Sequence, residues 1–441
     1  MLPASALGFV LFLLVNVTLF LRPADMWPSW EGLPVYEGLI LGAFVLSLQR
    51  MQRLFWPTEI RSQPITICVL GLLVAVVMSH LMHMFLWGVN HMGTEFTKTL
   101  IYYTTLVAVV STAERLKILL LTVAVAASVM VGLCVVDFLG IQEFEFIKHL
   151  EQKEEGTDIH GERIVVTRMR GTGIFQDPND IAMLIVAAGV LCTYFLTDRS
   201  TGFLRYGWLM PLAVLGTGLI LTRSRGGLLS MAGAGAALMA FRYGRKGIMT
   251  AGLGALCVLP LAAGRQAEID LEGGTGHDRI LLWRDGLEYL KSADFLFGIG
   301  AGSYADFVGL VAHNSFVHSF VELGLFGGTL FLGCFFFPLL ALYRTMRPEV
   351  RILHPELKRF LPYLGALLAG WCTAMLSLSR CYVVPTYLVI GIASATLLLV
   401  TPHVRPAMPL IYWNRNHMVQ LLFAGGGVLA GMVAFVKLFA R

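Results

Sequence analysis

The residues with the most chemical promise open an apolar run: His313-Asn314-Ser-Phe-Val-His318-Ser-Phe-Val-Glu322-Leu-Gly-Leu-Phe-Gly-Gly328. Asn314, His318 and Glu322 recur at i, i+4 and i+8, which sets them on one face of an otherwise apolar helix. Ionisable groups at membrane depth are costly and are functional candidates by default. His313 stands at the helix entrance. An imidazole, with an ordinary pKa of about 6.5, can take a proton from a hydroxyl at neutral pH. The plainer alternative is a helix cap plus an interhelical hydrogen-bond network.

Around it are cations that suit phosphate. Arg170-Gly-Thr-Gly-Ile-Phe-Gln-Asp-Pro-Asn179-Asp leads into another apolar run. Asp177 is a good N-cap and Pro178 suits the first helical position. Gly171 and Gly173 allow close backbone approach, and a helix N-terminus beside Arg170 is a natural anion site. The alternative is a capped helix entrance with an interfacial arginine. Thr222-Arg223-Ser-Arg225-Gly-Gly227 puts two arginines in a short connection at membrane depth. Such charges need pairing or water, and the planar guanidinium fits phosphate oxygens; lipid headgroups are the other partner they could meet. In His277-Asp-Arg279-Ile-Leu-Leu-Trp283-Arg284-Asp285, Ile280, Trp283, Leu287 and Leu290 follow helical spacing. That predicts an amphipathic helix lying on the bilayer surface, with Trp283 as interfacial anchor; Arg279 and Arg284 are either ligand-binding or simply solvated. Arg380, in a tight turn, is a further cation. Phe297-Gly-Ile-Gly-Ala-Gly302 lacks the strand–helix context of a nucleotide loop. No Walker motif or His-Glu-x-x-His is present, and Glu268-Ile-Asp270 is a weak acidic pair, so no metal or other cofactor is expected.

The elements that position these groups follow from composition. The 441 residues are 56% hydrophobic and 14% charged, with mean hydropathy +0.72 and net charge +5. These values exclude disorder, collagen, a coiled coil and a nucleic-acid-binding domain, and make a soluble enzyme a poor fit. The predicted class is an all-α polytopic membrane protein with 12–13 transmembrane helices. The runs lie near 4–21, 33–48, 65–87, 99–112, 118–139, 180–197, 204–221, 226–241, 247–263, 315–342, 361–379, 382–400 and 418–438. The first has no basic segment before it and no Ala-x-Ala after it, so it reads as a retained anchor. None of the seven cysteines forms a Cys-x-x-Cys pair. With the N-terminus inside, the inner loops carry a net +12 and the rest of the chain −7. All inner loops are short, as the positive-inside rule requires. Two long polar stretches, 140–179 and 264–314, then face outward. They divide the chain into transmembrane groups 1–139, 180–263 and 315–441. The candidate residues lie in or beside these stretches.

Several arginines, a helix N-terminus and a histidine at the outer boundary suit a lipid-linked diphosphate. The diphosphate is already a leaving group, the arginines neutralise its charge, and the histidine deprotonates an acceptor hydroxyl. Five motifs then occur in one order: Gly173-x-Phe-x-x-Pro-Asn179, Thr222-x-Ser-Arg-Gly-Gly227, Arg279-x-x-x-Trp283, Phe297-Gly-x-Gly-x-Gly302 and His313-Asn-x-Phe-x-x-x-x-x-Glu322-x-Gly-x-x-Gly327. In this the chain resembles the O-antigen ligase and O-antigen polymerase superfamily over about 170–330; the span at 418–438 is additional to the twelve expected. The resemblance implies a fold similar to the GT-C class with a helical periplasmic loop. It also implies an inverting, metal-independent transfer of glycan from undecaprenyl diphosphate, at the periplasmic face of the bacterial inner membrane. The family's arginines map onto Arg170, onto Arg223 or Arg225, and onto Arg284 or Arg279. Its loop histidine maps onto His313, with Asn179, Asn314, His318, Glu322 and Arg380 in support. The implied partners are the undecaprenyl-diphosphate-linked donor, a lipid A-core or glycan acceptor, and membrane lipids, but no nucleic acid. A ligase is expected first, then a repeat-unit polymerase, then a protein O-oligosaccharyltransferase. A lipid-linked glycan transporter is the alternative of another class; its usual pair of matching halves with broken helices is not evident.

Overall fold

The computed structural model describes residues 5–30, 32–157, 163–262 and 275–440; Glu268 and Asp270 lie outside them. The helices in chain order are α1 (Ala6–Leu21), the short α2 (Pro23–Met26), α3 (Val35–Leu54), α4 (Pro64–Leu81), α5 (Leu86–Val109), α6 (Ala113–Phe138), α7 (Pro178–Leu196), α8 (Leu209–Thr222), α9 (Arg225–Ala262), α10 (Thr275–Tyr289), the short α11 (Tyr304–Val308), α12 (Ser315–Thr345), α13 (Pro355–Met375), α14 (Val384–Val400) and α15 (Arg415–Phe439). Seven described helical stretches are long and apolar enough to cross a membrane by length and composition: α4, α6, α7, Arg199–Thr222, α12, Val384–His403 and α15. The chain is an all-α polytopic membrane protein. The remaining expected spans correspond to α1, α3, α5, α9 and α13. α5 starts at Leu86 rather than near 99, because Gly88, Phe96 and Thr99 bury one face while Asn90, His91, Glu95 and Lys98 lie on the other.

Two glycines break long helices, one between two expected spans and one inside a single expected span. At Gly244 (φ 60°, ψ −140°) α9 doubles back, so the expected pair 226–241 and 247–263 forms its two limbs. A Cβ at Gly247 would lie 1.9 Å from the Met239 carbonyl oxygen, which measures how tight the reversal is. The break at Gly324 (φ 66°, ψ −168°) interrupts the stretch 315–342, which hydropathy reads as one span. It separates a half-helix, Ser315–Leu323, from the long limb that follows. The freed carbonyls at the end of the half-helix need donors. The glycine-rich loop supplies them: Ile299 N donates to Val321 O and Gly300 N to Glu322 O, each at 3.1 Å. The Phe326 N–H returns a bond to Leu296 O at 3.1 Å. Both backbones approach closely only because Gly298 and Gly324 lack a Cβ; one at Gly298 would fall 2.3 Å from the Glu322 carbonyl carbon.

Strands are few. β1 (Leu150–Thr157) and β2 (Arg163–Arg168) form an antiparallel hairpin with Leu150 opposite Arg168. β3 (Arg351–Ile352) pairs β4 (Val404–Arg405). The hairpin is an addition to the sequence reading of the outward stretch 140–179, which contains no strand.

α7 runs between two polar ends. Beyond its C-terminus Asp198 meets Lys117 at 2.8 Å and Arg359 at 3.1 Å, and Glu356 meets Arg359 at 3.2 Å. At its N-terminus Asp180 meets Arg380. The charge count groups the first four residues on one side and Arg380 on the other, and the fold groups them the same way.

The loop–helix contact at Gly324 yields a prediction. Its φ/ψ lies in a region essentially reserved for glycine, so Gly324→Ala should destabilise the protein by at least about 2 kcal/mol. Gly426→Ala, on α15 with open space around it, should be neutral or slightly stabilising. Thermal unfolding of the detergent-solubilised protein compares them, and equal midpoints for the two variants would refute the contact.

Candidate active site at the entrance of α12

Asn314 caps α12, its Oδ1 accepting from the N–H groups of Phe316 (3.0 Å) and Val317 (3.2 Å). His313, just before the cap, has φ 49°, a left-handed conformation uncommon outside glycine. The preceding residue is anchored: the Trp283 indole N–H donates to Ala312 O at 2.6 Å. Trp283 therefore holds the peptide that presents His313. The aliphatic residues of the apolar face of α10 are covered by protein. Ile280, Leu287 and Leu290 are buried in one cluster with Val317, Phe320, Val321, Leu429 and Val436 of α12 and α15. The expected surface helix is corrected accordingly: its periodicity reflects packing on the bundle.

That docking separates the two α10 arginines. Arg279 is one turn before Trp283 and shares its face. Its charge acts on His313, and Asp177 acts on both. Arg284 points elsewhere, exposed and paired with its neighbour Asp285 at 2.9 Å, so the structure does not bring it to His313. Burial pushes the Arg279 guanidinium below its ordinary value, and Asp177 opposes this. Burial, and then the charge of Arg279, also hold His313 below its ordinary value; Arg380 and His318 add to this and Asp177 opposes. These surroundings disfavour the protonated ring and favour a free nitrogen lone pair on His313.

Arg380 grips Asp180 through two nitrogens, Nε at 2.6 Å from Oδ1 and a terminal nitrogen on Oδ2. This fork-on-carboxylate pairing is strong and directional, and it keeps Arg380 more firmly charged than usual. The Arg380 N–H donates to Ser315 Oγ (2.9 Å), which donates to Leu378 O, so the 376–380 turn is fastened to the first residue of α12. Asn179 belongs to the neighbouring connection. Its Oδ1 accepts from Ser224 Oγ at 2.6 Å, and Ser224 Oγ accepts from the Gly227 N–H at 3.0 Å. Arg168 Nε donates to Thr222 O at 3.0 Å, tying β2 to the same turn. Arg223 and Arg225 flank it as exposed side chains. Arg170 reaches back to the Lys148 carbonyl.

Beneath the entrance Glu322 is wholly buried. Its carboxylate accepts from the N–H groups of Gly302 (2.8 Å) and Tyr304 (2.9 Å) and from Tyr382 Oη (2.8 Å), with His318 Nε2 at 3.0 Å. An ionised carboxylate has about four acceptor positions, and all are used. The i, i+4, i+8 face is real, but its members play different parts. Asn314 caps the helix, whereas His318 and Glu322 pair with each other. The spacing did not reveal Tyr304, Tyr382, Asp180 or Arg168. Asp180 alone gave a signal, as an acid at the mouth of an apolar run.

Residues 210–332 match the family model described as O-antigen ligase. Four of the five motifs fall inside the match, and Gly173–Asn179 precedes it. A polytopic helical membrane protein is the class the fold defines. Its central segment is similar to the O-antigen ligase family, as the motifs implied. No curated protein matches the chain.

Tyr382→Phe removes one of the four donors to Glu322 and should cost about 1–3 kcal/mol. Glu322→Gln should cost more, because an amide NH2 then faces N–H and O–H donors. Unfolding midpoints in detergent test the order; wild-type stability in Glu322→Gln would contradict a buried carboxylate hub.

Proposed function

We propose that the protein is a membrane glycosyltransferase of the O-antigen ligase type. It moves a glycan from undecaprenyl diphosphate to an acceptor hydroxyl at the periplasmic face of the bacterial inner membrane. One observation carries the reading: His313 is held at the mouth of a membrane helix, between the Asn314 cap and the carbonyl anchored by Trp283, within range of the charges of Arg279 and Asp177. The charge count supports assigning that mouth to the outer side, and the family match supports a lipid-linked glycan as substrate.

The acceptor hydroxyl attacks the anomeric carbon while His313 takes its proton. The bond to the diphosphate oxygen breaks, and undecaprenyl diphosphate leaves with the electron pair. In this scheme Arg279 and Arg380, whose charges act on His313, receive the departing diphosphate, with Arg223 and Arg225 as further cations. Stabilisation of the departing diphosphate by such groups is commonly the largest electrostatic contribution to a reaction of this kind. The isoprenoid tail stays in the bilayer.

The test is glycan transfer by purified protein from lipid-linked donor, with lipid A-core and carrier-linked repeat offered side by side. His313→Ala should lower kcat by about 10²–10⁴-fold, the usual worth of a general base. Transfer to the carrier-linked repeat alone makes the enzyme a polymerase. The pH profile follows from the sign of the shift. A base works unprotonated, and His313 is held below its ordinary value, so the rate should be flat near pH 7. It should fall only below about 6.5. Arg279→Gln removes a repelling charge and should move that acid limb upward; an unmoved limb assigns it to another group.

A further inference from the structure

His318 lies one helical turn beyond Asn314 and is only 7% exposed. Its Nε2 is 3.0 Å from Glu322 Oε1. A carboxylate can only accept, so Nε2 carries the proton, and in the neutral ring Nδ1 is a bare acceptor. Nδ1 is buried and has no hydrogen-bond partner among the described residues. The ring is clamped: Tyr304 stacks on it at 5.2 Å and 12°, and Tyr382 meets it edge-on at 6.1 Å. Buried polar atoms are nearly always satisfied, and an exception in a native site calls for an explanation. A second such atom is Ser379 Oγ. It belongs to the 376–380 turn, which Ser315 fastens to the start of α12. His318 lies within electrostatic range of His313. An unmet acceptor on α12 and an unmet hydroxyl on the turn fastened to its first residue are groups that a polyhydroxylated ligand would satisfy.

We infer that His318 binds a hydroxyl of the acceptor glycan, its Nδ1 accepting a hydrogen bond from a neighbour of the hydroxyl that His313 deprotonates. Glu322 fixes the tautomer that leaves Nδ1 free. The inference rests on the glycan-transfer reading and names a residue that recognises the acceptor.

Two substitutions divide the ring's functions. His318→Gln keeps an amide that reaches Glu322 and leaves nothing at the Nδ1 position. His318→Asn puts a carbonyl oxygen near the Nδ1 position and gives up the contact with Glu322. Steady-state transfer kinetics and thermal midpoints are measured on the full-length protein in detergent. The Gln variant should keep its midpoint and raise KM for the acceptor by about tenfold, the worth of one hydrogen bond to a buried group. Its kcat should change less, and KM for the donor should be unchanged. The Asn variant should melt lower yet hold an acceptor KM near wild type. Unchanged acceptor KM in the Gln variant, or an equal rise in both variants, overturns the inference. A rise confined to the donor KM overturns the assignment to the acceptor. Wild-type protein that transfers no glycan overturns the proposed function itself, and this inference with it.

Discussion

The carboxylate of Glu322 is the interaction on which the outer end of this bundle depends. Removing a charge from water costs several kcal/mol even after relaxation, and here the cost is met by four donors from three places in the chain. Each of those donors is fixed in return. The Gly302–Tyr304 backbone is drawn onto α12, Tyr382 ties in the approach to α14, and His318 is held in one tautomer. The charge acts as an organising centre because each partner would otherwise belong to an independent loop.

The backbone break at Gly324 makes this possible. A continuous helix would spend the carbonyls of Val321 and Glu322 on its own next turn. Ending the half-helix frees them for the glycine-rich loop, which is why glycines occur in both partners. The loop so placed carries Tyr304, whose ring lies flat on His318. The catalytic candidate one turn above is set by a parallel device, with the Ala312 carbonyl held by Trp283 and the helix capped by Asn314. His313 is fixed on both sides, which suits a group that must meet a reacting hydroxyl in one geometry.

Much of this is legible in the sequence. Membrane class, most helices and the grouping of charges by side follow from hydropathy and the placement of Lys and Arg. His313, Asn314, His318 and Glu322 declare themselves as polar residues recurring in an apolar run. Other features cannot be read. A glycine inside an apolar run looks the same whether the helix continues or breaks, so the motif that contains Gly324 does not show that the helix ends there. The period of α10 shows that one face is buried, but not whether lipid or protein covers it, and the choice between Arg279 and Arg284 turns on that. The β1–β2 hairpin lies in a charged stretch where alternation is weak. Tyr382 reaches Glu322 across 60 positions, a separation that local spacing cannot encode.

The last helix, α15, has the sequence of a supernumerary span. It carries no motif and shows most of its surface outward, yet α10 rests partly on it, with Trp283 against Phe435 and Leu429 and Val436 in the same apolar cluster. A segment outside the motif region thus serves as the strut for the loop that orients Arg279 and His313. Divergence at the carboxyl end of such a chain can then retune the geometry of the proposed reaction centre without altering any residue within it.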